Sequence, residues 1–394
     1  MNVGIVTQKL VTGDGQGAIN HAVAAAVLAR GHTVTLVASE VAPTLHEHPG
    51  ATWVRVSPGP LPTQLLRDLW FAWASRREIQ ARRAALDVLM VNGAITWCDT
   101  DVNALHFVHD AWRRSAARQM ETQHGPYGWY HRLYTAVSTA WERWALRHTR
   151  HAVAVSPMVE NEIRAVNSSV PVHVIPNGVD PNRFSPDGPT VPHADIGCPP
   201  DAPLALFVGD IRTHRKNLDT VLRALTSVPA LHLAVAGTVD SSPFPALAAD
   251  LGLEDRVHFL GFRRDTAALM RTAHFLVCPS RYDPFSLVQL EGMACGRPVI
   301  TASTVGASAL VTPNSGIVLD DPTDVEALAP AMTRFATQPE LCRQMGRAAR
   351  AVARRHDLQT MARQYVDLFE AIHGERSLPT AVETEGPEPA SATA

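Results

Sequence analysis

Alternation constrains this chain most. Val3 to Thr7 is a short apolar run with strand character, residues 17–30 (GAINHAVAAAVLAR) form an alanine-rich helix that stops at Gly31, and His32 to Ser39 is a second apolar run. A helix between two such strands returns the chain to the end it left, so the strands must lie parallel. Further strands are expected at Thr52 to Val56, Leu86 to Val91, Ala104 to Val108, Ala152 to Val155 and Val172 to Ile175. A stretch rich in proline and glycine follows, Ser185 to Pro203, and reads as a passage between domains. Leu204 to Val208 then restarts the pattern, with strands at Leu231 to Ala236, Val257 to Leu260, Phe275 to Cys278 and Pro298 to Thr301. The fold class is therefore α/β, in two Rossmann-like domains, residues 1–185 and 200–355. Residues 376–394, dominated by proline, acids and small side chains, are expected to be a disordered tail.

Composition narrows the function. A formal charge of -3 over 394 residues gives no global electrostatic case for nucleic acid. The cysteines, Cys98, Cys198, Cys278, Cys295 and Cys342, have no paired spacing and read as reduced residues of a cytoplasmic protein. The N-terminus opens directly on a strand, without a charged-then-apolar leader, and no run approaches the roughly 18 apolar residues of a membrane span. Residues 62–84 form a helix bearing Trp70, Trp73 and several arginines; it is expected to pack with its arginines in water or, alternatively, to lie on an anionic membrane surface. The aromatic helix near 128–148 is expected to be mostly core.

The chemistry concentrates in RYDPFSLVQLEGMACGRPVI, Arg281 to Ile300. Asp283-Pro284 opens a turn, Ser286 can start a helix, Gly296 stops it and Pro298-Val299-Ile300 begins a strand. On that helix Glu291 shares a face with Leu287 and Cys295, which puts a carboxylate on the apolar side. A purely structural carboxylate would look the same. Asp283 and Glu291 bracket a helix N-terminus, however, where free N–H groups favour an anion. Phosphate at the amides and hydroxyls at the acids together describe a sugar nucleotide.

That segment resembles the acid-x7-acid motif of the retaining glycosyltransferases of family 4, which have the GT-B fold. The resemblance implies that Glu291 binds the nucleotide ribose and Asp283 the transferred sugar, with the amides around Phe285, Ser286 and Leu287 near the diphosphate and sugar. The family usually has Glu at the first position; Asp283 is one methylene shorter. A strand end at Gly209 leads into Asp210-Ile211-Arg212-Thr213-His214-Arg215-Lys216-Asn217, where a solvated charge run competes with a diphosphate site. The family places an arginine and a lysine in this loop against the leaving diphosphate, which implies Lys216 and Arg212, with Arg215 in reserve. The family's glycine-rich loop corresponds to Gly15, Gln16 and Gly17, where a dinucleotide fingerprint or a plain flexible turn are the other readings. His109, at the expected end of a parallel strand, matches a family histidine near the transferred sugar, while His106 is expected on the strand itself. Gly261 and Phe262 fall where the family accepts the base. The resemblance also implies that a last helix, residues 358–373, crosses back onto the first domain.

The resulting expectation is a metal-independent, retaining transfer of a sugar from a UDP-, GDP- or ADP-linked donor to an acceptor hydroxyl, with no cofactor. A sugar-nucleotide epimerase and a non-catalytic nucleotide-sugar or glycan binder remain the alternatives.

Overall fold

The computed structural model describes residues 1–13, 15–57, 60–120 and 125–377. Two parallel sheets organise it. The first has seven strands in the order Ala51–Arg55, Thr33–Ala38, Asn2–Val6, Val88–Asn92, Thr100–Leu105, Thr149–Ala154, Val172–Val174. The second has six, in the order Val257–Phe259, His232–Ala236, Leu204–Val208, Phe275–Cys278, Val299–Ala302, Gly316–Leu319. Central strands such as Val3 to Val6 and Leu276 to Cys278 are buried on both faces, so they read as continuous apolar runs without period-two alternation. The two sheets in an α/β chain are the architecture the alternation predicts.

Several boundaries moved, for physical reasons. The strand expected at Ala104 to Val108 runs from Thr100 to Leu105. Its first half is polar and therefore hidden from a hydrophobicity reading: the buried Asp101 accepts from Leu89 N (2.9 Å) and Arg83 Nη2 (3.1 Å), and Asn103 Oδ1 accepts from Gly93 N (2.8 Å). His106 consequently lies beyond the strand. The helix expected from residue 17 begins at Gly15, and the last helix continues to Ser377, so residues 376 and 377, assigned above to the tail, are helical. The rest of that tail lies outside the described residues. Helix Gln64–Arg82 buries Phe71, Ala72, Ser75 and Ile79, but Trp70 and Trp73 stand 45% and 49% exposed. In the next aromatic helix, Gly125–Arg147, Trp141 is core while Trp129 is 67% exposed. Among the described residues no helix is long and apolar enough to cross a membrane.

Two features tie the sheets together. The connecting stretch is pinned by the buried Arg271, whose guanidinium donates to the carbonyls of Ser185 (2.7 Å), Arg183 (3.0 Å) and Pro189 (3.1 Å). The C-terminal helix, Leu358–Ser377, lies on helix Gly15–Ala29 and buries Tyr365 and Phe369 in the first sheet's core, with Arg30 bonded to Asp367 (2.6 Å) at its edge. The two chain crossings meet where Val179 N donates to His356 O (3.0 Å) and Leu358 N to Val179 O (3.0 Å). A side chain at Gly178 would strike the Asp357 backbone at 2.6 Å, so only glycine fits that crossing.

Candidate active site in the cleft

The carboxyl ends of both sheets face one another. From the second sheet, the loop after Leu204–Val208 carries Lys216 in a short 3-10 turn, His214–Lys216. Its shape is fixed by Asn217, fully buried with φ 67°, whose side-chain amide donates to Pro279 O (2.8 Å) and Pro322 O (2.5 Å) and accepts from Thr220 Oγ1 (2.6 Å). Arg281 braces the loop from behind. It grips Asp219 with two bonds of 2.7 Å, donates to His214 O (2.8 Å), and its own backbone N donates to Arg215 O (2.9 Å). The lysine stem crosses Gly209, where a Cβ would come within 3.2 Å of Lys216 Cγ.

Lys216 Nζ meets Asp283 Oδ2 at 2.5 Å, joining two positions 67 residues apart. Burial works to raise the Asp283 carboxyl, but the Lys216 charge and hydrogen bond, helped by Arg215, hold it below its ordinary value. Asp283 is thus an anion clamped to a cation. Its loop is crossed closely by the next one: Gly306 N donates to Asp283 O (2.8 Å), and a side chain at Gly306 would overlap Pro284 O.

Helix Leu287–Ala294 follows, entered through Ser286 at φ 70°. Among the described residues no acceptor is paired with the amides of Ser286 or Leu287, whereas Phe285 is spent internally. Its ring is core, its N donates weakly to Asp283 Oδ1 (3.4 Å) and its O accepts from Ala307 N (2.8 Å). Glu291 lies one turn into the helix and lines a cavity of about 420 Å³ with Gly13, Gly15, Asp180, Arg183 and Leu287. Burial pushes its carboxyl up to about 7, against the opposing charge of Arg183. Gly292 on the same helix lets it press on Leu276, whose Cδ2 lies 2.4 Å from where a Cβ would sit.

The first sheet supplies the opposite wall. Gly15 touches this helix, with Leu287 Cδ1 3.1 Å from its would-be Cβ, and Gln16 and His109 line a second cavity. Gly17 is buried inside its helix. His109 is the first residue of helix His109–Arg114, and its backbone N donates to Glu142 Oε2 (2.7 Å). Burial lowers its imidazole to about 4, so the ring is neutral near pH 7. Tyr282, next to Asp283, inserts against Phe107 and Trp112 of the first domain at centroid distances of 5.7 and 5.5 Å.

The cleft walls therefore carry the Lys216–Asp283 pair and, in the cavity beside the helix that follows Asp283, Gly15 and Glu291, while Gln16 and His109 line a separate cavity. The cleft does not gather Arg212, which forks onto Asp210 at the surface through bonds of 2.9 and 3.0 Å. Adjacent acid and base in one short loop satisfy each other, which leaves Arg215 as the arginine acting on Asp283. Gly261 sits at a strand end with φ 68°, its O accepting from Gly237 N (2.9 Å), while Phe262 projects 73% exposed. Sequence reasoning missed Asn217, Arg281 and Glu142. On the opposite, amino end of the second sheet, Cys198, His232 and His258 bring ligand-type atoms within 4.8 Å. There the two rings lie parallel within 1° and share an N–H···N bond of 3.0 Å, so one nitrogen of each is already used.

Two parallel α/β domains meeting at their carboxyl ends, with the last helix returned to the first domain, are the architecture of the GT-B glycosyltransferases. A model described as Glycosyltransferase Family 4 matches residues 13–183, and one described as Glycosyl transferases group 1 matches residues 193–352, so the chain belongs to the family 4 type of glycosyltransferases. Among curated proteins, the D-inositol 3-phosphate glycosyltransferase of Xylanimonas cellulosilytica is 32% identical over 50% of this chain and 51% of its own length. That of Mycobacterium avium is 28% identical over 74% of this chain and 71% of its own. The match spans only about half the length of the first of these relatives. Among solved structures, a sucrose-phosphate synthase from Thermosynechococcus elongatus superposes with a TM-score of 0.77 at 20% identity, covering 95% of this chain and 99% of that one. HepE of Anabaena, solved with UDP-glucose, gives 0.67 at 20% identity over 94% and 100%. At such identities the structures bear on the fold alone.

Proposed function

We propose that this chain transfers a glycosyl group from a nucleoside-diphosphate sugar to an acceptor hydroxyl, with retention of configuration and without a metal ion. The observation that carries the reading is the Lys216–Asp283 pair set beside unpaired amides at the start of the Glu291 helix. In the reaction the bond from the anomeric carbon to phosphate oxygen breaks and the diphosphate leaves with the electron pair. The acceptor oxygen bonds to the anomeric carbon on the same face, and its proton passes to a phosphate oxygen. Lys216 and Arg215, with the amides of Ser286 and Leu287, stabilise the departing charge in a water-poor cleft. Asp283 takes a hydroxyl of the transferred sugar, Glu291 the ribose, and neutral His109 a further sugar hydroxyl. Gly261 and the exposed Phe262 ring border the base. The UDP-glucose in HepE supports a donor of this class.

A binding screen across nucleoside diphosphates and their sugars tests the reading, followed by acceptor trials with EDTA present. Lys216→Ala is expected to cut kcat about 10²- to 10³-fold, the loss typical of removing a preorganised charge from a transition state. Glu291→Gln should weaken donor binding roughly tenfold, equivalent to one good hydrogen bond. Turnover unchanged in both variants, or transfer abolished by EDTA, contradicts it.

A further inference from the structure

Away from the cleft, at the carboxyl end of helix Leu287–Ala294, the second domain holds a cavity of about 290 Å³. Its lining includes four arginines, Arg297, Arg343, Arg347 and Arg350, and no carboxylate among the described residues. Helix Pro339–Ala353 supplies the last three, spaced so that they share one face. The length of helix Leu287–Ala294 puts about 12 Å between this end and the amides of Ser286 and Leu287, so the cavity stands apart from the donor site.

Two of these arginines have a structural task that uses only part of their donor capacity. Arg350 Nη1 donates to Ala294 O, closing the end of the Glu291 helix, and Arg297 Nη2 donates to Arg271 O, closing helix Thr266–Thr272. A guanidinium carries several further N–H groups, and among the described residues neither arginine has another hydrogen bond or a carboxylate partner. Burial holds the Arg297 guanidinium below its ordinary value, as expected of a charge taken from water without an anion beside it. The outer two share one acid. Glu340 accepts from Arg343 Nη2 (2.6 Å) and Nε (3.2 Å) and lies 3.7 Å from Arg347 Nη2, with its own side chain 71% exposed. Such a surface pair is worth little and yields to a competing anion. His274, in the same lining, accepts from Leu204 N (3.1 Å) at Nδ1, which leaves the proton of the neutral ring on Nε2 as one more donor. Donors without acceptors, among four like charges, define an oxyanion site. Arginine suits phosphate because its planar fork gives two parallel N–H···O bonds. The remaining lining, with Pro186, Pro339, Cys295 and Cys342, is apolar enough to cover a small organic body.

We propose that this cavity binds a phosphate group, as inorganic phosphate or a small soluble phosphomonoester, gripped by Arg297, Arg343, Arg347 and Arg350. The site does not depend on the transferase reading. Calorimetric titration at fixed ionic strength measures Kd for inorganic phosphate and for glycerol 3-phosphate, and the tighter of the two tells whether an organic body adds to the grip. Arg343→Gln/Arg347→Gln is expected to weaken binding of both by about tenfold or more, the loss of at least one charge-assisted bond. Lys216→Ala, which alters the donor cleft, should leave this Kd within about twofold. Glu340→Gln should tighten binding by about twofold or more, because it removes the competing carboxylate. The Arg343 and Arg347 side chains are 63% and 75% exposed, so the double variant should keep its melting temperature in phosphate-free buffer. Binding lost in Lys216→Ala but kept in the double arginine variant places the anion in the donor cleft and overturns the proposal. So does the absence of saturable binding, or binding to phosphatidic acid vesicles without binding to either soluble phosphate.

Discussion

Glu291 is a carboxyl with no hydrogen-bonded protein donor among the described residues, in a cavity it shares with Arg183, where burial raises it to about 7. At pH 6 the free protein holds Glu291 mostly protonated; at pH 8 it is ionised. On the proposed function, ribose hydroxyls donating to the carboxylate would favour the charged form, so the bound state is expected to have the lower value and donor binding below pH 7 to expel a proton. If the bound value falls below about 5.5, donor Kd tightens about tenfold from pH 6 to pH 8. Calorimetry in buffers of different ionisation enthalpy checks both the proton release and the slope. Glu291→Gln should flatten the slope, and an equal slope in the variant would move the titration elsewhere. The neighbouring acid behaves oppositely. Lys216 keeps Asp283 charged across this range, so the two acids of one motif differ in protonation although they lie on one loop-helix element.

At the scale of elements, the Lys216 loop depends on a residue that never faces the cleft. Asn217 combines a left-handed backbone with three side-chain bonds, so two substitutions can separate the contributions. Asn217→Gly keeps the backbone and loses the bonds; Asn217→Ala loses both and should be less stable than the glycine variant by about 1 kcal/mol, the cost of a Cβ in the left-handed region. Urea unfolding measures the difference, and kcat should fall in both because the lysine is no longer held over Gly209. The same residue shows what a sequence discloses. Strands made of Val, Ile and Leu, a helix stopped by Gly296 and a glutamate on an apolar helix face announce themselves through local pattern. Asn217 does not, because before a helix it resembles an ordinary cap, while its bonds run to Pro279 and Pro322, far along the chain. The polar first half of strand Thr100–Leu105 was hidden in the same way, its Asp101 and Asn103 being satisfied by neighbours that only the folded sheet supplies. Arg212 shows a further limit, since the sequence sets Asp210 and Arg212 in one loop without saying that their side chains pair.

For the whole molecule, the proposed transfer requires the two domains to be held together over the cleft, and the contacts that hold them differ in kind. Ser156, the cap of helix Pro157–Val166, donates to Pro284 O (2.7 Å) and accepts from Val159 N (3.2 Å), linking the first domain to the Asp283 loop at a site with no charge. Nearby, Tyr282 Oη donates to Glu162 Oε2 (3.2 Å), and burial pushes the Glu162 carboxyl up to about 7. Glu142 adds to that rise, and Arg114 and the Tyr282 bond oppose it. Opening the cleft would return Glu162 towards its ordinary value near 4.5, so the closed form binds the extra proton. The contribution of Glu162 to closure is therefore complete below about pH 4.5, declines between there and pH 7, and is gone above. Small-angle scattering of the donor-free protein should show a larger radius of gyration at pH 8 than at pH 5.5, and donor at saturation should reduce the difference by closing both. Glu162→Gln, neutral at every pH and able to accept from Tyr282, should hold the compact dimension throughout. If that variant still expands on raising the pH, the expansion belongs to other groups and Glu162 does not govern the cleft.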